Sequence, residues 1–350
     1  MTTTHVQPGP VAQEDRAPRS RSVLATVLAG SLLVLAVVMV LSVLIGTKNL
    51  SPPTVWDALV DGGGGEAELI VRHLRVPRTF AGVLVGAALG LAGALMQSLT
   101  RNPLADPGLL GVNAGAACAV VCAIAFLHIT QITDYVWFAL LGAGVATVVV
   151  YVLGSTGRNA ASPVRLVLAG AAISAVLTGV ISAVVLTNSI AFNGFRSWTV
   201  GSLQNVTSDV VWQALPFLAV GFLIALGLAP ALNTIALGDD MASALGARVG
   251  RIRGLGILAT TLLCGAATAV VGPMTFVGLV VPHAVRAFTG PNNRWILPFS
   301  MVGGAILILA SDVVGRLVLW PSELEVSVVT ALIGAPVFIL IVRRRRLSQL

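Results

Sequence analysis

Charged residues are scarce in this chain of 350 residues. Only 10% are Asp, Glu, Lys or Arg, against about 25% in soluble globular proteins, and 56% are hydrophobic. Lys48 is the only lysine, so the positive charge comes almost wholly from arginine. This composition excludes an ordinary soluble domain and predicts a polytopic membrane protein. The net charge of +7 is explained by membrane topology, and no nucleic-acid partner is predicted.

Familiar catalytic motifs are also absent from the sequence. There is no GxxxxGK[ST] phosphate loop, no His–Glu metal motif and no GxSxG nucleophile motif. The chain is therefore predicted not to be an enzyme and to hold no ATPase site. Transport through it would take its energy from a partner protein or from an ion gradient.

Ionisable residues are nearly missing from the apolar stretches, with His283 and Asp312 as exceptions. Each could relay protons, as intramembrane ionisable groups often do in gradient-driven transporters. The structural alternative, which we favour, is that His283 satisfies backbone groups freed by Pro282 and that Asp312 pairs with Arg316 one turn later. The scarcity of ionisable residues in the predicted spans favours a transport pathway that is driven by a partner protein over one that is coupled to protons.

Cysteines number only three, and all lie in apolar runs. Cys118 and Cys122 share a helix face, a spacing that could suit a metal, but no His or carboxylate joins them. They and Cys264 are predicted to be small packing residues. No disulfide, metal site or cofactor is predicted.

Ten apolar stretches have the length and composition of membrane-spanning helices, which predicts an all-α fold. Residues 1–22 are predicted to be a disordered cytoplasmic tail, 23–342 the ten-span membrane domain, and 343–350 a basic cytoplasmic tail. Outer loops are expected at 46–72 and 316–325, and short helices at 54–60, at 197–203 and, in two pieces, within 230–253. The ten predicted spans are 23–45, 79–99, 107–127, 135–153, 166–186, 210–228, 255–271, 275–288, 296–314 and 326–342.

The distribution of positive charge predicts the orientation of these spans. With both termini in the cytoplasm, fifteen of the 21 Lys and Arg residues lie on inner segments and six on outer ones. Because cytoplasmic loops carry an excess of Lys and Arg, this orientation is preferred over its inverse. The protein is predicted to be a multi-pass protein of the plasma membrane.

The second span carries a row of small residues. Gly82, Gly86, Gly90 and Gly93 recur at spacings of three or four and fall mostly on one helix face. Small residues let membrane helices approach closely, since lipid gives helices no hydrophobic reason to associate. We therefore expect this face to pack against another helix of the chain.

Several glycine- and proline-containing motifs follow one another along the chain. They begin with RVPR at 75–78, GxxxGxxGxxMQ at 86–97 and NPLADPGLLG at 102–111, and continue with RLVLAG at 165–170, FVGLVVPH at 276–283 and GAPVF at 334–338. In this order they resemble the FecCD family of ABC-transporter permeases. The resemblance covers roughly 69–342. It implies the ten-helix permease fold of a type II ABC importer, with an inverted repeat of spans two to five and seven to ten.

The family imports iron–siderophore complexes, haem and cobalamin, so the resemblance implies a bulky chelate as substrate. A ferric siderophore is the first candidate, and haem and cobalamin are the alternatives. The implied partners are a second permease chain in a homo- or heterodimer, two cytoplasmic ATP-binding subunits and an extracytoplasmic substrate-binding protein. A gradient-driven transporter or channel, and a membrane-embedded enzyme, are the alternatives from other classes.

The resemblance also implies roles for three groups of residues. Arg75, Arg78 and Arg316 would receive glutamates of the binding protein, with Arg72 as a nearby helper, because the guanidinium fork suits carboxylates. An inner segment would seat in the ATPase subunit, and a turn before the fifth span would form the cytoplasmic gate. The ATPase-coupling residues are Asp239, Asp240, Met241, Ala244, Leu245 and Gly246; the gate residues are Ser162, Pro163 and Val164, of which Pro163 departs from the small hydroxyl residues familiar there.

Overall fold

The computed structural model describes residues 20–61, 65–129, 131–155, 163–204 and 206–347. Its regular elements are helices, and the described residues include no β-strand. A π-helical turn, Leu69–Arg75, joins α3 to α4, and a 3₁₀ turn, Pro107–Leu110, precedes α5. The helices are α1 Arg21–Leu44, α2 Pro52–Val60, α3 Glu66–Glu68, α4 Val76–Thr100, α5 Val112–Leu127, α6 Ile132–Ser155, α7 Pro163–Thr187, α8 Ser189–Thr199, α9 Ser208–Gly227, α10 Ala229–Ile235, α11 Asp239–Ala244, α12 Val249–Val271, α13 Val277–Thr289, α14 Asn293–Val318 and α15 Val326–Leu347.

The predicted all-α membrane fold is confirmed. Among the described residues, 7 helices are long and apolar enough to cross a bilayer: α1, the continuous helix Glu66–Thr100, α6, α7, α9, α12 and α14. Three shorter apolar helices, α5, α13 and the Val326–Leu340 part of α15, coincide with the other predicted spans. The count of ten spans stays a prediction, because these three are shorter than a full crossing requires.

Helix α4 lies at the centre of the bundle. Within the spanning part of Glu66–Thr100, 83% of residues are buried, against 72% for α12 and 61% for α14. The predicted glycine face explains this burial: a Cβ built at Gly86 would lie 2.5 Å from the carbonyl oxygen of Gly304, and one at Gly90 would strike the backbone at Ser300. The close packing predicted for this face is therefore confirmed, with α14 as the main neighbour.

At the opposite extreme, α1 and α7 are peripheral. Only 6% of the spanning residues of each are buried. Their apolar side chains, such as Leu33 and Leu168, are left to contact lipid or another chain.

The end of the bundle that carries α2 and the last turn of α14 is the one predicted to be extracytoplasmic, and is called the outer end below. Here the predicted loop 46–72 is wrong in its second half, because helix begins at Glu66 and runs without a break to Thr100. This part of the helix was not predicted because the charged residues in 66–78 interrupt the apolar pattern on which the prediction of spans rested. The widened π turn stands just before Pro77, where a ring without an N–H cannot continue regular α-helical bonding.

Two further outer boundaries differ from prediction. The short helix expected at 197–203 is α8, Ser189–Thr199, because the Asn188 side chain caps its start by accepting from the Ala191 N–H at 3.0 Å. The loop expected from Arg316 begins later, since α14 continues to Val318. At the other end, called the inner end, the two short helices predicted within 230–253 are α10 and α11.

Candidate functional site

The three arginines predicted to dock a partner meet at the outer end. Arg75 comes from the π turn, Arg78 from the first turn of α4 and Arg316 from the last turns of α14. Together with Lys48, Gln204 and Glu323 they border a cavity of about 350 Å³. Helix packing thus brings together residues separated by more than two hundred positions in sequence.

Arg75 is 4% exposed and holds the end of α1. Its Nη1 donates to the carbonyl oxygens of Val43 and Leu44 at 2.9 and 2.8 Å, and its Nη2 donates to that of Lys48 at 2.6 Å. The last carbonyls of a helix have no partner within the helix, and a cation there is favoured by the helix dipole.

Arg316 serves the same helix end from α14 and is 2% exposed. Its Nη1 donates to the carbonyl oxygens of Ser42 and Ile45, each at 2.7 Å. Little of the surface of α1 is buried, so apolar packing holds it only weakly. The hydrogen bonds from Arg75 and Arg316 to its last carbonyl groups therefore help to hold α1 against the rest of the bundle.

Asp312 is the counter-ion at the centre of this outer cluster. Its side chain is fully buried, and its carboxylate accepts from Arg78 Nη2 at 2.6 Å and from Arg316 Nη2. The predicted pairing of Asp312 with Arg316 is therefore observed, and a second guanidinium shares the carboxylate.

Arg78 also faces the rim of the outer cavity. Its Nη2 lies 2.7 Å from Glu323 Oε2, and the two side chains are 12% and 14% exposed. Four cationic side chains border the cavity, and three carboxylates pair with members of this set: Asp312, Glu323 and Glu66, which binds Lys48. The region therefore keeps an excess of one positive charge.

Arg72, carried as a possible helper, caps a different helix. Its Nε and Nη2 donate to the carbonyl oxygens of Ala58 and Leu59 at the end of α2, at 2.8 and 2.9 Å, and Nη1 lies 3.2 Å from Glu68. It fixes α2 to the start of the long helix.

At the inner end, the residues predicted to couple to an ATPase divide into two kinds. Asp239 bridges two other helices through ion pairs. Its carboxylate lies 3.2 Å from Nη2 of Arg101, the residue just past the end of α4, and 2.8 Å from Nη2 of Arg253 on α12. Asp240, Ala244 and Gly246 are exposed and make no such pair.

The exposed surface of this inner segment is apolar at regular spacing. Leu237, Met241 and Leu245 are 63%, 55% and 64% exposed, although each is a large hydrophobic side chain. Met241 and Leu245 are four residues apart and lie one turn apart along α11, and Leu237 lies just before this helix, preceding the non-helical Gly238. The three side chains are called the exposed row below. Such a row presents a ready contact surface to another protein.

The predicted gate lies only partly within the described chain. Ser162 lies outside the described residues. Pro163 is the first residue of α7, and Val164 is 69% exposed. Proline at the first position of a helix costs nothing, since its missing N–H would have no partner there.

Sequence reasoning missed the partners that these side chains find across the fold. Glu323 and Arg253 were not singled out, and neither was a polar group at the inner end formed by Ser98, Arg286 and Asn293. The only local signal was the spacing of Asp312 and Arg316. The described chain holds no group of three or more His, Cys, Asp or Glu side chains placed to bind a metal ion.

Known proteins match this chain over nearly its whole length. Residues 32–344 match the model of the FecCD transport family. The chain is 48% identical to the ferric enterobactin transport system permease protein FepD of Escherichia coli (strain K12), covering 92% of this chain and 96% of that protein. It is 39% identical to the Fe(3+)-citrate import system permease protein YfmD of Bacillus subtilis (strain 168), covering 83% and 85%.

One solved structure extends this likeness to three dimensions. It is described as an inward-facing conformation of a metal-chelate type ABC transporter, and it superimposes with a TM-score of 0.82 at 27% sequence identity. The match covers 91% of this chain and 99% of that one.

Proposed function

Because this chain belongs to the FecCD transport family, we propose that it is the membrane-spanning permease of an ABC importer that carries a ferric siderophore into the cell. The observation that carries this proposal is its 48% identity, over 92% of its length, to a ferric enterobactin permease. The described helices supply a multi-pass path through the inner membrane, and hydrolysis of ATP would be the task of separate subunits.

The proposed orientation places both termini in the cytoplasm. The charge count of the sequence supports it, since fifteen Lys and Arg residues belong to segments predicted to be inner and six to segments predicted to be outer. In this orientation the outer arginine cluster faces a substrate-binding protein, and α11 faces the ATPase.

The proposed ATPase contact is the row of Leu237, Met241 and Leu245. Burying three large apolar side chains that are now more than half exposed would contribute several kcal/mol, at roughly 1.5–3 kcal/mol for each fully buried side chain. Asp239 would act indirectly, by holding α11 against α4 and α12 so that movement of the ATPase is passed to the bundle.

The proposed partner of α7 is a second permease chain. Only 6% of the spanning part of α7 is buried, and the segment predicted to hold the gate leads directly into this helix. A path between two such helices would be lined mostly by apolar residues, which suits passage of a bulky chelate without tight binding.

Docking of the binding protein is proposed at the outer cavity, with Arg78 as the residue that meets the incoming carboxylate. Arg75 and Arg316 border the same cavity, but their guanidinium groups also hold the end of α1. Replacement of any of the three arginines tests folding as well as docking, since Arg78 also pairs with the buried Asp312. Arg78 lies at the rim, and its present partner there is Glu323. An incoming glutamate would compete with Glu323 for the same guanidinium.

The transport proposal is tested by uptake in a strain lacking this gene. Cells with the gene restored should accumulate iron from labelled ferric enterobactin, and cells without it should not. Labelled haem and cobalamin serve as the parallel substrates. Uptake of haem or cobalamin alone would replace the siderophore assignment, and uptake of none of the three would remove it.

The docking proposal is tested with Arg78→Glu and with Arg196→Glu, which makes the same charge reversal at an exposed outer residue that does not border the cavity. Each purified variant is first checked for wild-type helix content, because Arg78 also pairs with the buried Asp312. In correctly folded transporter, affinity for the binding protein should fall by about tenfold or more in the first variant and little in the second. Salt should weaken the wild-type complex. Equal effects of the two variants would contradict docking at Arg78.

A further inference from the structure

A second polar cavity lies at the inner end, next to α11, and Ala236, the neighbour of Leu237 in the exposed row, is among the residues that line it. It has a volume of about 300 Å³ and lies where the end of α4 meets α10, the end of α13 and the start of α14. Its polar walls are Gln97, Ser98, Arg101, Arg286 and Asn293. No Asp or Glu is among the residues that line it. Of its two guanidinium groups, that of Arg101 pairs with Asp239 outside the cavity, and that of Arg286 has no carboxylate partner among the described residues.

Arg286 is the unusual member of this group. Its Nη2 donates to Ser98 Oγ at 2.8 Å and to the carbonyl oxygen of Ala94 at 3.4 Å. Its Nε is buried without an acceptor, and within the described residues Arg286 forms no ion pair. A charge withdrawn from water is expected to be paired, so this half-buried cation lacks the anion that its position calls for.

The walls of the cavity are held in place before any ligand arrives. Ser98 Oγ, which accepts from Arg286, lies 2.8 Å from two acceptors for its one proton, Asn293 Oδ1 and the carbonyl oxygen of Ala94. The Asn293 amide donates to Asn233 Oδ1 at 3.1 Å. Asn293 is 2% exposed, so this chain of bonds fixes the part of the cavity wall that Ser98 and Asn293 form. When the side chains of a site are already ordered, ligand binding loses little conformational entropy.

The second cation, Arg101, is available for a shared contact. Its side chain is 40% exposed and uses Nη2 to meet Asp239 at 3.2 Å, which leaves the other N–H groups of the fork free for an anion. Two forked cations around one cavity suit a phosphate, whose oxygens accept several charge-assisted hydrogen bonds at once.

The depth of the cavity favours a phosphate that belongs to the membrane. It lies at the ends of spanning helices, and Trp295, in the first turn of α14, packs half-buried against Phe299 at 6.3 Å between ring centres. Tryptophan is enriched at the level of lipid headgroups, and basic pockets between helices on the cytoplasmic side bind anionic headgroups. We propose that this cavity binds the phosphate of an anionic phospholipid through Arg286 and Arg101.

The test is native mass spectrometry of the purified protein in detergent, titrated with phosphatidylglycerol, with phosphatidylcholine or with inorganic phosphate. Wild-type protein should retain phosphatidylglycerol in preference to phosphatidylcholine, whose choline cation the two arginines repel. Arg286→Gln should weaken retention by roughly tenfold, since a charge-assisted hydrogen bond is lost. Arg294→Gln, at an exposed arginine in the first turn of α14 that does not line the cavity, should leave retention unchanged within about twofold.

Arg286→Lys keeps the positive charge at this position but lacks the planar guanidinium fork. It should therefore retain more lipid than Arg286→Gln, which lacks both. If inorganic phosphate binds the wild type and displaces the lipid, the site takes a free phosphate and the lipid source is wrong. The proposal is overturned if no phosphate compound binds the wild type, or if the Arg286 and Arg294 variants weaken retention equally. The first of these measurements needs no variant and so stands even if Arg286→Gln fails to fold.

Discussion

Replacement of Asp312 by Asn should destabilise the protein severely. The carboxylate is fully buried and is shared by Arg78 and Arg316. The variant leaves Arg78 with Glu323 as its one carboxylate partner, and leaves Arg316 with carbonyl and hydroxyl acceptors but no anion. Removing one member of a buried ion pair costs about 3–5 kcal/mol, because an uncompensated charge stays behind.

Asp239→Asn is the matched control for this prediction. Asp239 also bridges two arginines, at 3.2 and 2.8 Å, but its side chain is 38% exposed. Water and salt screen such a pair, so its loss should cost about 1 kcal/mol or less. The two variants therefore make the same chemical change in the same kind of bridge and differ chiefly in burial.

The assay is equilibrium unfolding of the purified protein in mixed micelles, with the denaturing detergent fraction as the variable and helix content as the signal. The free energy of unfolding should fall several-fold more for Asp312→Asn than for Asp239→Asn. Losses of similar size, or a loss below about 1 kcal/mol for Asp312→Asn, would refute the argument that burial makes the outer cluster a fixed part of the fold.

Three other predictions follow from the packing, the topology and the inner surface. Gly90→Leu should cost about 3 kcal/mol or more by forcing α14 off α4, whereas Gly30→Leu, where an added Cβ meets nothing within 4 Å, should leave the melting temperature nearly unchanged. A cysteine in place of Asp57, which is exposed on α2, should react with a membrane-impermeant label in intact cells, and a cysteine in place of Asp240 should not. Labelling at position 240 would show that the proposed orientation is the wrong way round. Ala244→Arg should uncouple ATP hydrolysis from uptake while the permease still inserts, and normal uptake by this variant would place the ATPase contact elsewhere.

The sequence allowed most of the helices to be predicted because each apolar run carries its own signal. Runs such as 166–186 and 210–228 differ from the observed helices α7 and α9 by only a few residues at either end. Prediction failed where a helix is polar on the outside, as at 66–78, or where one capping side chain decides the start, as at Asn188. In those segments local bonding outweighs the average apolarity on which the prediction rested.

The candidate sites were predicted in part. Family motifs pointed to Arg75, Arg78 and Arg316, and the structure brings these three together around one cavity. Their roles as docking residues stay predictions. The motifs do not record that Arg75 and Arg316 donate hydrogen bonds to the end of α1. They also do not record that Asp239, which is partly exposed, pairs with Arg101 and Arg253 of this chain.

The sequence by itself determined the membrane class, the order of the helices and the face of α4 on which glycines permit close approach. These features follow from composition and from short-range periodicity, which require no knowledge of neighbours. Only the tertiary structure decided which charges are partners: Arg78 meets Asp312 across 234 positions, and Arg286 meets Ser98 across 188. The pairing of charges depends on which helix ends meet in space, and that is set by packing of the whole bundle, so no local pattern records it.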